Sequence, residues 1–464
     1  MNKIENKMEK VVSLAKRRGF IFPGSEIYGG LAGTWDYGPL GVELKNNIKN
    51  LWWKKFVTDR EDMFGVDAAI IMNGRVWEAS GHVSGFADPL VEDLKTHNRY
   101  RADHVLEEAG IDCSGLSPED MNNVIQEKGI KSPAGNPLGE VQKFNMMFKT
   151  NVGANSDAAS VSYLRPETAG GIFVNFKNVV DSLHPKLPFG IGQIGKAFRN
   201  EIAPRDFIFR SREFEQMEIE YFVKPDGWQD AFEKWRVAML EWCNDIGLPA
   251  ENVYEKEIAD EDRAHYSKRT IDIEFDYPFG RKELYGLAYR TNYDLSKHQE
   301  YSKQSLEYFD EETGQKFVPH VVEPSLGVDR SVLAVLTSAY CEDEVGGETR
   351  VFLKLVPKLA PIKMAVFPLL KNRPEIIEKA KAVYADLKKT FGNVAFDESG
   401  NIGKRYRRQD EIGTPFCITI DFDTIGAGED ASLTDTVTVR ERDGGTQTRI
   451  ALIDLKSYLQ EKLA

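Results

Sequence analysis

The chain has 464 residues, 41% of them hydrophobic, which is enough to bury more than one core and leads us to expect two or three domains. Its formal charge of -13 excludes a generally basic nucleic-acid coat, although local patches rather than totals attract phosphate. No apolar run reaches the roughly 18 residues of a membrane span, and the charged, helical opening MNKIENKMEKVV is unlike a signal peptide, so a soluble, cytoplasmic protein is expected.

In chain order, residues 8–18 read as a helix and residues 29–41 as a glycine-rich loop carrying Trp35 and Tyr37. Residues 41–57 read as an amphipathic helix with Leu44, Ile48, Leu51, Trp52 and Phe56 inward. The run AAIIM at 68–72 reads as a strand. An insertion spans about 88–161, with a helix that Ser117 caps and Pro118 enters, then a Pro/Gly loop at 132–139. The cysteines, Cys113, Cys243, Cys341 and Cys417, form no CxxC, which argues for reduced thiols and against a disulfide framework or a cysteine-rich zinc site. His97 and His104 lack a thiol partner and read as surface residues.

Residues 199–222, RNEIAPRDFIFRSREFEQMEIEYF, put six acids, four arginines and four phenylalanines into two strand-like runs, 207–209 and 213–221, around a turn at 204–206. Alternation would let Arg199, Glu201, Arg210, Arg212 and Glu218 converge on one ligand. Arginine forks suit phosphates, carboxylates suit ammonium groups and metal ions, and Phe214 can stack on a base. The competing reading is a solvated hairpin laced by cross-strand ion pairs. From Pro225 to about residue 270, Trp228, Phe232, Trp235, Leu240 and Trp242 recur at helical spacing and read as a packing layer. Residues 320–336 read as a short strand, a tight Pro/Ser/Gly turn and a helix burying Val328, Val332, Leu333 and Leu336. Arg330 then falls in the first helical turn, pointing back over the strand end, and Gly327 allows a ligand to approach the backbone.

After a linker at 357–361 the chain alternates strand (363–367), helix (374–391), strands (417–421 and 436–440) and a closing helix (454–463), an α/β unit. Residues 360–464 contain 16 basic and 16 acidic side chains, so the whole negative excess lies upstream. The clearest positive patch is Lys404, Arg405, Arg407 and Arg408, either a solvated helix face or an RNA contact.

The strings FRNE at Phe198 and SLGVDR at Ser325 resemble motifs 2 and 3 of the class II aminoacyl-tRNA synthetases, with Ser325 where the motif 3 pattern has its first glycine. RRGFIFPGSEIYGG at Arg17, WDYGPLG at Trp35, ASGHV at Ala79, RYRADH at Arg99, LRPETA at Leu164, ELYG at Glu283 and YRTNYDL at Tyr289 are similar to the homodimeric glycyl-tRNA synthetases, and together they run nearly end to end. The resemblance implies an α+β catalytic domain built on an antiparallel sheet over residues 1–356, with helical insertions at about 88–161 and 225–318, and a C-terminal α/β anticodon-binding domain over 357–464. It implies a homodimer, although Asn73 and Gly74 stand where motif 1 has its proline. Some members carry a CxxC just before RYRADH; this chain has VEDLKTHN from Val91, which argues against structural zinc.

The implied activity is glycine activation by ATP to glycyl-adenylate and pyrophosphate, then transfer to the 3′ end of tRNA(Gly). A side synthesis of dinucleoside polyphosphates, by ATP attacking the adenylate, is also open. By resemblance, Arg199 on the α-phosphate and Arg330 near the outer phosphates are catalytic. ATP would also meet Asn200, Glu201, Phe209, Arg210, Ser211, Arg212, Glu213, Phe214, Glu283, Leu284, Gly327, Val328 and Asp329, with Glu283 a candidate Mg2+ ligand. Glycine would meet Arg101, Glu167, Phe214, Glu215, Gln216, Met217, Glu218, Glu323, Pro324, Ser325, Leu326 and Gly327. Lys404, Arg405, Arg407 and Arg408 are the candidate tRNA contacts, and the insertion would approach the acceptor end. Glycine offers no side chain to recognise, so several acids around its ammonium meet the demand, and crowding them raises their pKa values until a cation compensates. Three rival readings stay open: a non-catalytic synthetase-like regulator, a synthetase for serine, threonine or proline, and a structural RNA-binding protein.

Overall fold

Residues 3–113, 115–154, 160–345 and 347–463 are described by a computed structural model; residues 114 and 155–159 of the expected insertion lie outside them. Helix α1 (Lys3–Arg17) leads to helix α2 (Pro39–Trp53), which continues as a π-helical turn over Lys54–Thr58. Pro39 enters α2 in its first turn, where no intrahelical N–H bond is lost. Leu44, Ile48, Trp52 and Phe56 lie buried along one side.

The catalytic-type unit is built on a seven-stranded sheet. Its strands are β1 (Met63–Gly65), β2 (Phe189–Phe198), β3 (Glu213–Val223), β4 (Val253–Glu257), β5 (Arg269–Tyr277), β6 (Gly280–Thr291) and β7 (His320–Gly327), in the order β4-β5-β6-β7-β3-β2-β1. All neighbours run antiparallel except β1 beside β2. Helices α3 (Ala169–Leu183), α4 (Trp228–Asp245) and α5 (Val328–Ala339) cover it. On one face Met217, Ile219 and Tyr221 of β3 join Trp235 and Trp242 of α4, Val332 and Leu336 of α5, and α2 in the main core. On the other, Phe222 packs with Phe173 and Phe176 of α3. That second face turns polar toward the start of α3, where Gln216, Glu218 and Glu220 are buried.

Several expectations need correction, among them the loop over 29–41, in which Trp35–Tyr37 form a short strand and α2 begins at Pro39. Residues 68–72 form no strand; the parallel edge strand is β1, because the Ala68 carbonyl is taken by Arg165 Nη1 at 2.7 Å and the Met72 carbonyl by Ser162 at 2.7 Å. Residues 207–209 form a 3-10 turn rather than a strand, with Asp206 and Phe207 both at φ 59° and Phe207 and Ile208 buried, so the hairpin is β2–β3 with a loop over 199–212. Pro324 and Ser325 make no turn but lie inside β7; the β3–β7 ladder lapses opposite Ile219 and Glu220, where Pro324 has no N–H to give. The region 225–318 is not all insertion, since β4, β5 and β6 belong to the central sheet. Its tryptophan-rich helix is core, as expected.

Within the expected insertion, the strands Ala87–Glu92, Arg99–Arg101 and Gln142–Asn145 form a three-stranded sheet of their own, over a core of Val91, Leu106, Met121 and Ile125. The insertion's helix Pro118–Lys128 opens on a reciprocal Ser117–Asp120 capping box.

The C-terminal unit comprises β8 (Met364–Pro368), α6 (Pro374–Phe391), β9 (Val394–Phe396), α7 (Ile402–Ile412), β10 (Phe416–Ile420), β11 (Thr436–Glu441), β12 (Gln447–Ala451) and α8 (Leu455–Leu463). The sheet order is β9-β8-β10-β11-β12, with β8 parallel to both neighbours. Helix α7 holds the basic cluster and corrects its reading. Arg405 is buried, donating to the carbonyls of Pro368, Glu398 and Gly400, and is out of reach of RNA. Arg408 pairs with Asp397, while Lys404 stays exposed. Asp410 of the same helix, fully buried, joins Arg440 of β11 at 2.9 Å to Arg350, on the strand Glu348–Leu353, at 3.2 Å. The helix therefore clamps the two units together. No described helix is long and apolar enough to cross a membrane.

Candidate active site

Two adjoining cavities open on the sheet between β3, β6 and β7. The first, about 300 Å3, is lined by Arg199, Glu201, Phe209, Arg210, Ser211, Phe214, Glu283, Leu284, Gly327 and Arg330, with Arg101 reaching in from the inserted unit. Arg199 follows directly on β2; its Nε donates to the Pro166 carbonyl at 3.1 Å, and its guanidinium carbon lies 5.3 Å from the ring centroids of both Phe86 and Phe214. Arg330, in the first turn of α5, lies 3.0 Å from the Glu283 carbonyl and 3.1 Å from its carboxylate, over the Phe209 ring. Two arginines thus face one cavity from different elements.

Arg210 and Arg212 divide their work. Arg210 lines the cavity, whereas Arg212 donates to the carbonyls of Glu201 (3.0 and 3.2 Å) and Ala32 (2.7 Å) and staples the loop. Gly33 permits this staple: it sits at φ +74°, and a Cβ there would come within 2.5 Å of Pro204. Other expected contacts fall outside the cavities. Met217, Leu326 and Val328 are in the main core, and Pro324 is buried on the Leu326 side of β7. Glu213 pairs with Lys196, and the Asn200 N–H donates to Met146 O. Arg101, an expected glycine contact, lines the first cavity rather than the second and is held by Asp88 at 2.7 Å and Asp103 at 2.6 Å.

The second cavity shares Arg199, Gln216, Glu283 and Ser325 with the first and is walled by Glu167, Glu218 and Glu323. Cross-strand register makes this convergence: Glu218 of β3 faces Ser325 of β7, and Glu323 of β7 faces Ala288 of β6. Glu218 accepts from the Thr168 main chain at 3.0 Å, from the Thr168 hydroxyl, from Ser325 at 2.7 Å and from Gln216 at 2.7 Å. Burial, then the Glu167 charge, pushes Glu218 above the usual carboxylate range. Glu323 is pushed up to about 8 by burial and by the charges of Glu218 and Glu167, against the pull of Arg290. Burial would raise Glu167 too, but His82 at 3.4 Å, with Arg290 and Arg199, outweighs it and holds Glu167 at about 2. Such a set of acids gains most by accepting a cation.

Three residues here escaped the sequence reading. Arg290, fully buried, donates to Glu323 at 2.9 Å and to both Asp294 oxygens at 2.8 Å, and lies 3.8 Å over the Tyr266 ring. The β6–β7 register shifts between Tyr289 and Thr291, at Arg290 itself, so alternation along β6 does not announce its partners. His82, which opens the short helix His82–Gly85, and Thr168, at the N-cap of α3, are likewise placed by geometry that no periodicity announces.

The expected surface histidines are only partly so. His97 is exposed and pairs with Glu92 at 2.8 Å, but His104 is half-buried, and burial with the Arg101 charge pushes it down to about 4. Among the described residues no cluster of three or more His, Cys, Asp or Glu could hold a metal ion.

Residues 148–339 match the tRNA synthetase class II core domain (G, H, P, S and T), and residues 363–462 match the anticodon binding domain. The chain is 52% identical to the glycine–tRNA ligase of Caldanaerobacter subterraneus subsp. tengcongensis, over 98% of each protein. It is also 52% identical to that of Clostridium acetobutylicum, over 99% of this chain and 100% of the relative, and 50% identical to that of Bacillus thuringiensis subsp. konkukian. The chain belongs to the glycine–tRNA ligase family. As a glycine–tRNA ligase of class II it is an aminoacyl-tRNA synthetase, with an antiparallel-rich core and a separate anticodon-binding unit, as the motifs implied. The regulator and RNA-scaffold readings fall with that membership.

Proposed function

We propose that this protein joins glycine to ATP as glycyl-adenylate, releasing pyrophosphate, and passes the glycyl group to the 3′ end of tRNA(Gly). The observation that supports this best is the meeting of an arginine-lined cavity and an acid-lined cavity at Arg199. In this reading the glycine ammonium sits among Glu167, Glu218 and Glu323, its carboxylate points to Arg199, and ATP fills the first cavity with adenine on Phe214. A carboxylate oxygen attacks the α-phosphorus in line, the bond to pyrophosphate breaks, and Arg199 takes up the charge that develops. Arg330 and Arg210 hold the outer phosphates. No covalent enzyme intermediate is needed.

Class II synthetases use Mg2+ with ATP, and the donor set at the cavity junction suits a hard cation: Glu283 is half-exposed, and Asp272 is near enough that burial and the Glu283 charge push it up to about 7. Glu283, with Asp272, would hold the ion, which would neutralise phosphate charge. The adenylate is open to the tRNA ribose hydroxyl, or to a second ATP, which would yield a dinucleoside polyphosphate. The C-terminal unit reads the anticodon in this proposal, with Lys404 and Arg407 as candidate contacts. A homodimer is proposed from the family alone, because α2 spends its apolar side on the chain's own core. The free cysteines agree with a cytoplasmic setting.

The test is amino-acid-dependent exchange of pyrophosphate into ATP with glycine, alanine, serine, threonine and proline. Exchange with glycine alone is expected; exchange with another amino acid instead would overturn the specificity. The raised Glu323 adds a pH dependence. Binding an ammonium requires Glu323 ionised, so glycine binding releases a proton, and the KM for glycine should fall roughly tenfold from about pH 6.5 to about pH 8. A KM flat over that window would mean that Glu323 is already ionised.

A further inference from the structure

Beneath the first cavity lies a buried network whose members include two residues to which the reaction gives no part. Asp329 directly precedes Arg330, yet Oδ1 of its carboxylate accepts from Tyr37 Oη at 2.5 Å and Oδ2 from the Glu215 main-chain N–H at 2.7 Å. Lys45 Nζ lies 3.5 Å from Asp329, 2.9 Å from the Glu215 carboxylate and 4.3 Å over the Tyr37 ring. Lys49 reaches Glu215 at 3.0 Å from the next turn of α2.

The geometry explains why a network is needed here. The β3–β7 ladder ends at the pair Gln216–Gly327, because β7 then turns into α5. Beyond that pair the Glu215 N–H has no strand partner, and the Asp329 side chain replaces it. One carboxylate therefore ties the residue after Phe214 to the residue before Arg330. Two buried carboxylates side by side repel, and Lys45, only 8% exposed, supplies the compensating charge.

We propose that Lys45 and Tyr37 are positioning residues for the ATP half of the reaction, fixing Asp329 and Glu215 so that Phe214 and Arg330 face the nucleotide at a set spacing. The inference rests on the ATP-site reading above. Neither residue touches the acid-lined cavity, so their loss should move ATP parameters and spare glycine.

The experiment is glycine-dependent pyrophosphate exchange for Lys45→Met and Tyr37→Phe, with ATP and glycine titrated separately and folding checked by circular dichroism. Lys45→Met should raise the KM for ATP about tenfold or more and leave that for glycine within about twofold; Tyr37→Phe, which removes one hydroxyl and little volume, should do the same at about threefold. Lys45→Arg should recover most of the loss, since it keeps the charge. An unchanged ATP KM in Lys45→Met and Tyr37→Phe, or equal rises for both substrates, would overturn the assignment. Calorimetric binding of ATP to wild type and variants reads the same spacing without glycine. Wild type binding ATP but exchanging with no amino acid would count against glycine activation, while the variants' ATP affinity would still decide the positioning role.

Discussion

Arg199→Ala should lower glycine-dependent pyrophosphate exchange by about a thousandfold or more while leaving the fold intact. Arg199 is partly buried, with one packing hydrogen bond to the Pro166 carbonyl and two aromatic neighbours, so its removal opens little of the core. What disappears is the one positive side chain, among the described residues, that lines both cavities. Because that charge counts most as the α-phosphorus becomes crowded, the loss should appear in kcat more than in the KM for glycine. Arg330→Ala should also stop adenylate formation, but with a larger rise in the KM for ATP, since Arg330 faces only the first cavity, where ATP is proposed to bind, and its loss leaves Glu283 without that partner. Single-turnover exchange on folded protein is the check. Activity within about tenfold of wild type in either variant would remove that arginine from the mechanism.

The second large effect concerns a residue that touches no phosphate. Arg290→Met should both destabilise the protein and disable glycine binding. Arg290 is buried against Glu323 and Asp294, and removing one partner of such a cluster leaves uncompensated buried charge, at a cost of about 3–5 kcal/mol. Glu323, already raised by burial, would be pushed higher still without the pull of Arg290, so that ionising it to receive the ammonium would cost more. The kcat/KM for glycine should fall on the order of a hundredfold, with the KM for ATP little changed. Thermal unfolding and separate substrate titrations test the two parts. Lys at 290 keeps the charge without the fork, so Arg290→Lys should retain stability better than binding. A normal glycine KM in a destabilised Arg290→Met would make Arg290 purely structural.

Much of the site was legible because local order and side-chain type are sequence properties. Alternation through Glu213–Val223, the capping signal at Ser117-Pro118 and the tryptophan spacing of α4 stand where the physical patterns put them. Failures cluster where the partner of a segment, rather than the segment, decides. Residues 68–72 look like a strand but give their carbonyls to Arg165 and Ser162 from far along the chain. The Phe207-Ile-Phe run reads as part of an alternating strand, but its three apolar residues have no polar face to present, and they fold into a 3-10 turn that buries Phe207 and Ile208. Lys404 to Arg408 reads as either a solvated charge run or an RNA contact, yet at 3.6 residues per turn one arginine faces inward, and only the packing of α7 between two units shows that the inward side is a clamp.

The family was legible in strings of residues in order, and that resemblance singled out Arg199, Arg330, Glu167, Glu218 and Glu323, which line the two cavities. The separation of cavity residues from core residues was not legible there, because strand neighbours alternate faces and the sequence does not say which face is covered. Met217 and Glu218 are adjacent in the chain, but one packs under α4 and α5 and the other meets Ser325 across a ladder 107 residues away. Arg290, His82 and the Tyr37–Lys45–Asp329 network belong to the same class: their partners are brought together by long-range register and helix packing, which cost chain entropy that only the completed core repays.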